Sequence, residues 1–107
     1  MRSYELVTII HPDVDGDDLT ATIDAVKSLV ERAGGEVAEV KPWGSRRLAY
    51  PIQDQWEGQY VLMRVRLDPQ DVAELERGLG LNEQVIRHLV VREEEAKDAE
   101  SPEPTDE

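Results

Sequence analysis

Residues 58–67 read Gly58-Gln59-Tyr60-Val61-Leu62-Met63-Arg64-Val65-Arg66-Leu67. In a strand, successive side chains point to opposite faces. Val61, Met63, Val65 and Leu67 therefore share one face, and Tyr60, Leu62, Arg64 and Arg66 share the other. The first set is wholly apolar and the second is mixed. That pattern predicts a strand with one face on a core and the other left open.

Moving toward the N-terminus, residues 53–57 (QDQWE) followed by Gly58 predict a hairpin loop. Residues 36–52 form a second extended segment, in which Pro42 and Gly44 mark a bulge or bend. Over 18–33, Leu19, Ile23, Val26 and Val30 recur at helical spacing and predict one buried helix face. Gly34-Gly35 supplies a left-handed stop. The run DVDGDD at 13–18 reads as a turn and helix start, where Asp caps free N–H groups and meets the positive end of the dipole. It lacks the further spaced ligands and closing Glu of a calcium loop. Residues 2–10 are rich in β-branched and aromatic types, read as a strand, and end at His11-Pro12.

Toward the C-terminus, Asp68 reads as an N-cap and Pro69 as the first helical residue. Val72, Leu75 and Leu79 form the buried stripe of a short helix closed by Gly78 and Gly80. Residues 85–92 form a last strand. The order βαββαβ predicts an α+β ferredoxin-like sandwich, a four-stranded antiparallel sheet with two helices on one face. The second strand then lies beside the third, the third beside the first, and the first beside the fourth. One domain spans 1–92, and an acidic tail spans 93–107.

The 107 residues include 12 Lys+Arg and 24 Asp+Glu, a net charge of −12, and no Cys. Lack of cysteine excludes disulfides, thiolate metal sites and thiol catalysis. No apolar run approaches the roughly 20 residues of a membrane span, and the N-terminus does not read as a secretory signal. The total charge argues against a polyanionic partner, but the charge is sorted. Residues 93–107 hold eight acids and one Lys, a net of −7. So polar a segment is expected to be a disordered, solubilising tail. Three acid-free stretches, 40–53, 58–67 and 84–92, hold Lys41, Arg46, Arg47, Arg64, Arg66, Arg87 and Arg92, a total of +7. In the expected fold these are three of the four strands.

An open sheet face bearing Arg and Tyr suits RNA, because guanidinium groups meet phosphate and aromatic rings stack on bases. It equally suits a protein partner, and Arg stems also cover apolar surface on any solvated strand. The signature of an RNA-recognition sheet is met only by Gly58 and Tyr60. Catalytic readings find no support. His11 and His88 are the only histidines, no nucleophile or phosphate-loop motif occurs, and DVDGDD repels anions. A ferredoxin-like regulatory or ligand-binding module stays open as the alternative. Among the large aromatics, Trp43 reads as packing at the bend. The register of Tyr50 is undecided, and Trp56, with no obvious core to join, reads as a contact residue.

Met1-Arg2-Ser3-Tyr4-Glu5, the stretch Trp43-Gly44-Ser45-Arg46-Arg47-Leu48-Ala49-Tyr50-Pro51-Ile52, Gly58-Gln59-Tyr60 and Val85-Ile86-Arg87-His88-Leu89-Val90-Val91 occur in this order. Together they resemble the bacterial small-subunit ribosomal protein S6 family over essentially all of 1–92. The most specific piece is Gly44 through Ile52. The resemblance implies the same βαββαβ fold and a structural, non-enzymatic role in the cytoplasm, without cofactor. It implies binding to ribosomal RNA of the central domain together with a basic partner, ribosomal protein number eighteen of that subunit. Neither a membrane nor a small-molecule substrate is implied. The family motif falls on Arg46, Arg47, Leu48, Ala49, Tyr50 and Pro51, with Tyr60, Leu62 and Arg64 on the neighbouring strand. The expected RNA- or partner-binding set is therefore Lys41, Arg46, Arg47, Tyr50, Trp56, Tyr60, Leu62, Arg64, Arg66, Arg87 and Arg92.

Overall fold

The computed structural model describes residues 1–93. Strand β1 (Arg2–Ile10) leads to helix α1 (Gly16–Arg32), strand β2 (Glu36–Ile52) and strand β3 (Gln55–Leu67). A single 3-10 turn (Pro69–Asp71), helix α2 (Val72–Leu81) and strand β4 (Val85–Arg92) complete the order. The antiparallel sheet is ordered β2-β3-β1-β4, the expected split βαβ arrangement. The acidic tail expected over 93–107 lies outside the described residues apart from Glu93.

The main core lies between the sheet and the helices. Val61, Met63, Val65 and Leu67 of β3 bury there with Tyr4, Leu6 and Ile10 of β1, meeting Val26 and Val30 of α1 and Leu75 and Leu79 of α2. The alternation of β3 reads correctly on this face. Thr22, absent from the expected stripe, is also buried, and its Oγ1 donates to the Asp18 carbonyl 2.9 Å away. That intrahelical bond lets a hydroxyl enter the core satisfied.

Four local expectations need correction. Asp68 and Pro69 open the 3-10 turn and not α2, whose N-cap is Asp71, and Asp68 makes no side-chain capping bond. Asp15 stands at the N-cap of α1 without a side-chain capping bond, and its carbonyl instead accepts from the Asp18 and Leu19 N–H groups. The Asp cluster thus serves the helix start through backbone and charge. Gly78 and Gly80 lie inside α2 and do not end it. A Cβ on Gly78 would come within 2.7 Å of Leu29 Cδ2, so this glycine lets the two helices approach. The hairpin loop shrinks to Gln53 and Asp54, both at positive φ (50° and 67°), and Ile52 pairs with Gln55. Trp56 therefore belongs to a strand.

The stop after α1 forms as expected, with two glycines in different roles. Gly34 adopts φ +95° and its N–H donates to Glu31 O, while the Gly35 N–H donates to Val30 O. This bonding pair satisfies the last carbonyls of the helix. Gly35 is required for space, since a Cβ there would sit 2.6 Å from the Arg66 carbonyl oxygen.

Candidate nucleic-acid interface

The face turned away from the helices is less open than its alternation suggests. Ile9, Leu48, Tyr60 and Ile86 form a second buried cluster there, edged by Val7, Trp43 and Ile52. Tyr60 is 1% exposed and Leu62 8%. The expectation that both present themselves on an open face is thus corrected. The Trp43 ring stacks on Tyr60 with centroids 6.2 Å apart and planes 15° from parallel. Trp43 packs, as its place beside the bend suggests.

What covers Tyr60 is the end of β2. Its register with β3 shifts between Val37 and Glu39, between Pro42 and Gly44, and between Arg47 and Ile52. Gly44 takes φ +88°, which a glycine adopts without strain. Irregularities of this kind bend a strand and raise its twist. The bent end carries Leu48 and Ile52 onto Ile9 and Ile86. Strand β4 has its own irregularity, since Ile9 pairs with Arg87 and Ile10 with Val85, leaving Ile86 as the extra residue. The bulge helps re-aim Ile86 into the second cluster.

This bend joins the two outer strands of the sheet. Arg87 Nη1 donates to Tyr50 Oη at 2.8 Å, and Gln53 Nε2 donates to the Ile86 carbonyl at 3.4 Å. Arg46 lies with its guanidinium carbon 5.9 Å from the Trp43 ring centroid, and Arg47 the same distance from the Trp56 centroid. Trp56 and Tyr50 remain 50% and 51% exposed. The hairpin end of the sheet thus carries three contacts, Arg46 on Trp43, Arg47 on Trp56 and Arg87 on Tyr50. Stacked guanidinium groups and exposed rings offer charge for phosphate and planes for bases at the same place.

The other expected residues are distributed differently. Arg64 sits among three carboxylates, with Nη1 3.1 Å from Glu93, Nε 3.4 Å from Glu39 and Nη2 3.8 Å from Glu5. Lys41 Nζ lies 3.6 Å from Glu39. The expectation that Arg64 adds an open positive charge is therefore corrected, because its surroundings carry more negative charge than positive. Arg66 is exposed beside Ser3 and Glu36, its register partners, at the far end of the face. Arg92 pairs with Tyr4, a residue of the helix-side core, so its register places it on the opposite face. Among the described residues no group of three or more His, Cys, Asp or Glu is arranged to hold a metal ion, and no helix is long and apolar enough to cross a membrane.

The fold is thus a split βαβ sheet with arginine-aromatic contacts at its hairpin end. The family described as ribosomal protein S6 matches residues 3–92. Small ribosomal subunit protein bS6 of Desulforamulus reducens is 44% identical over 95 residues, covering 89% of this chain and all (100%) of that protein. Its counterpart from Carboxydothermus hydrogenoformans is 38% identical over 94 residues, covering 88% of this chain and 98% of that one. The crystal structure of 30S ribosomal protein S6 from Thermotoga maritima superposes with a TM-score of 0.80 at 30% identity, covering 94% of this chain and 98% of the other. The chain belongs to the ribosomal protein S6 family. That class is structural and non-enzymatic, and its place is the small subunit of the cytoplasmic ribosome. Membership favours the ribosomal reading over the small-ligand module.

Proposed function

We propose that this chain binds ribosomal RNA of the small-subunit central domain, together with ribosomal protein number eighteen as a basic partner. Residues 1–92 serve as the binding domain in this reading. The observation that carries it is the convergence of Arg46, Arg47 and Arg87 with Tyr50, Trp56 and Trp43 at one end of the sheet. The arginines supply phosphate contacts, and the exposed rings of Trp56 and Tyr50 supply surfaces on which unpaired bases stack. The rest of the molecule is acidic, with an overall charge of −12. RNA affinity depends on phosphate neutralisation, so a basic partner that offsets this background raises affinity and speeds encounter.

The test is a mobility-shift titration with central-domain RNA across a salt series, with and without the basic partner. Weak binding alone and strong, salt-sensitive binding by the pair is the expected result. Tight binding by this chain alone counts against the need for a partner, and absence of binding in both arms removes the RNA reading.

A further inference from the structure

We propose that Glu93 is an intramolecular blocker of Arg64, holding an arginine of the sheet face out of reach of phosphate until RNA displaces it. This rests on the RNA-binding reading above and extends it to a residue which that reading leaves unused. The geometry separates the three carboxylates around Arg64 into two kinds. Glu5 and Glu39 are the direct register partners of Arg64 on the flanking strands, so the ladder fixes them beside it. Glu93 follows the last residue of β4 and has no ladder partner among the described residues. It nevertheless makes the shortest contact, with Arg64 Nη1 donating to Glu93 Oε2 at 3.1 Å.

Each nitrogen of the guanidinium lies within 4 Å of a different carboxylate, but only Nη1, on Glu93, makes a hydrogen bond. Three carboxylates against Arg64 and the neighbouring Lys41 leave an excess negative charge. Like charges this close repel one another, and Glu93 is the one of the three that no ladder pairing holds beside Arg64. Its departure makes the patch neutral and frees the Nη1 edge for a phosphate oxygen, which forms the same kind of charge-assisted bond. The Arg64 and Glu93 side chains are 44% and 27% exposed, so an incoming ligand can reach the contact.

The experiment compares full-length wild type, Glu93→Gln, Glu76→Gln, Arg64→Gln and the Glu93→Gln/Arg64→Gln double variant. The readout is filter binding to labelled central-domain RNA at low ionic strength. Glu76 lies on the exposed side of α2, so its substitution makes the same charge change away from the face. Glu93→Gln is expected to tighten binding about two- to fivefold more than Glu76→Gln, the scale of an exposed ion pair, and Arg64→Gln is expected to abolish that extra gain. Equal gains from both glutamates, or a Glu93 gain that survives Arg64→Gln, overturn the blocker while leaving RNA binding standing. Failure of every protein, wild type included, to bind the RNA both alone and with the basic partner present overturns the reading on which the blocker rests, and the blocker with it.

Discussion

Arg87 on β4 donates a 2.8 Å hydrogen bond to the hydroxyl of Tyr50 on β2, although β4 and β2 are the two outer strands of the sheet. Only a β2 end that crosses over the sheet makes this contact, and the crossing buries Leu48 at 4% exposure against Ile9, Tyr60 and Ile86. The polar link is itself exposed. Tyr50→Phe should therefore change stability by about 0.5 kcal/mol or less, while Arg87→Ala should lower RNA affinity and flatten its salt dependence by roughly one phosphate contact. Urea titration and a salt series of binding curves check the two halves.

Truncating the second cluster should cost far more. Leu48→Ala removes a buried side chain that has no part in the helix-side core. A loss of about 2–4 kcal/mol is expected in urea denaturation, from lost transfer energy and the cavity left behind. A loss below about 0.5 kcal/mol would mean that the crossing segment is not packed in solution.

Arg46→Ala combined with Arg47→Ala should leave the fold intact. Arg47 is exposed, and both guanidinium groups rest over tryptophan rings beside the surface, not in the main core. The double variant should weaken RNA binding and reduce the salt slope by about 1.4–1.8, the contribution of two phosphate contacts. Circular dichroism checks the fold, and loss of the spectrum would make these residues structural.

The paired glycines after α1 should separate by mechanism. Gly34→Ala forces a side chain onto φ +95° and should cost about 1 kcal/mol. Gly35→Ala drives a Cβ to 2.6 Å from a backbone carbonyl and 2.7 Å from Leu67 Cδ1. Backbone yields less readily than a flexible side chain, so about 2–3 kcal/mol is expected. Thermal melts of both variants give the order.

The hairpin turn offers a gain. Gln53 and Asp54 both hold positive φ, where two-residue turns favour Asn-Gly. Asp54→Gly should raise stability by about 0.5–1 kcal/mol, measured by the shift in urea midpoint.

Much of the scaffold is legible in the sequence because its signals are local. Alternation in β3, the four-residue spacing in α1 and Gly34-Gly35 after α1 each report a period or a backbone preference that near neighbours impose. Order and connectivity then leave few topologies, and the strand order follows. The site is less legible. Residue type and motif mark Arg46, Arg47, Tyr50 and Trp56, but Tyr60 and Leu62, expected on an open face, are buried. Arg64, expected as an open charge, is ringed by carboxylates from three separate parts of the chain.

The sequence by itself determined the elements, their order and the apolar faces of α1, β3 and α2, since these depend on residue periodicity and on turns a few residues long. Tertiary structure alone decided which face residues reach solvent. Register shifts and a positive φ at Gly44 bend β2 across the sheet, and no nearby pattern encodes where a bent strand lands. The same distance in sequence hides the charge balance. Arg64 meets Glu5, Glu39 and Glu93 because the folded sheet brings together residues far apart along the chain. The field at a surface depends on that neighbourhood and not on the net charge of the segment carrying it.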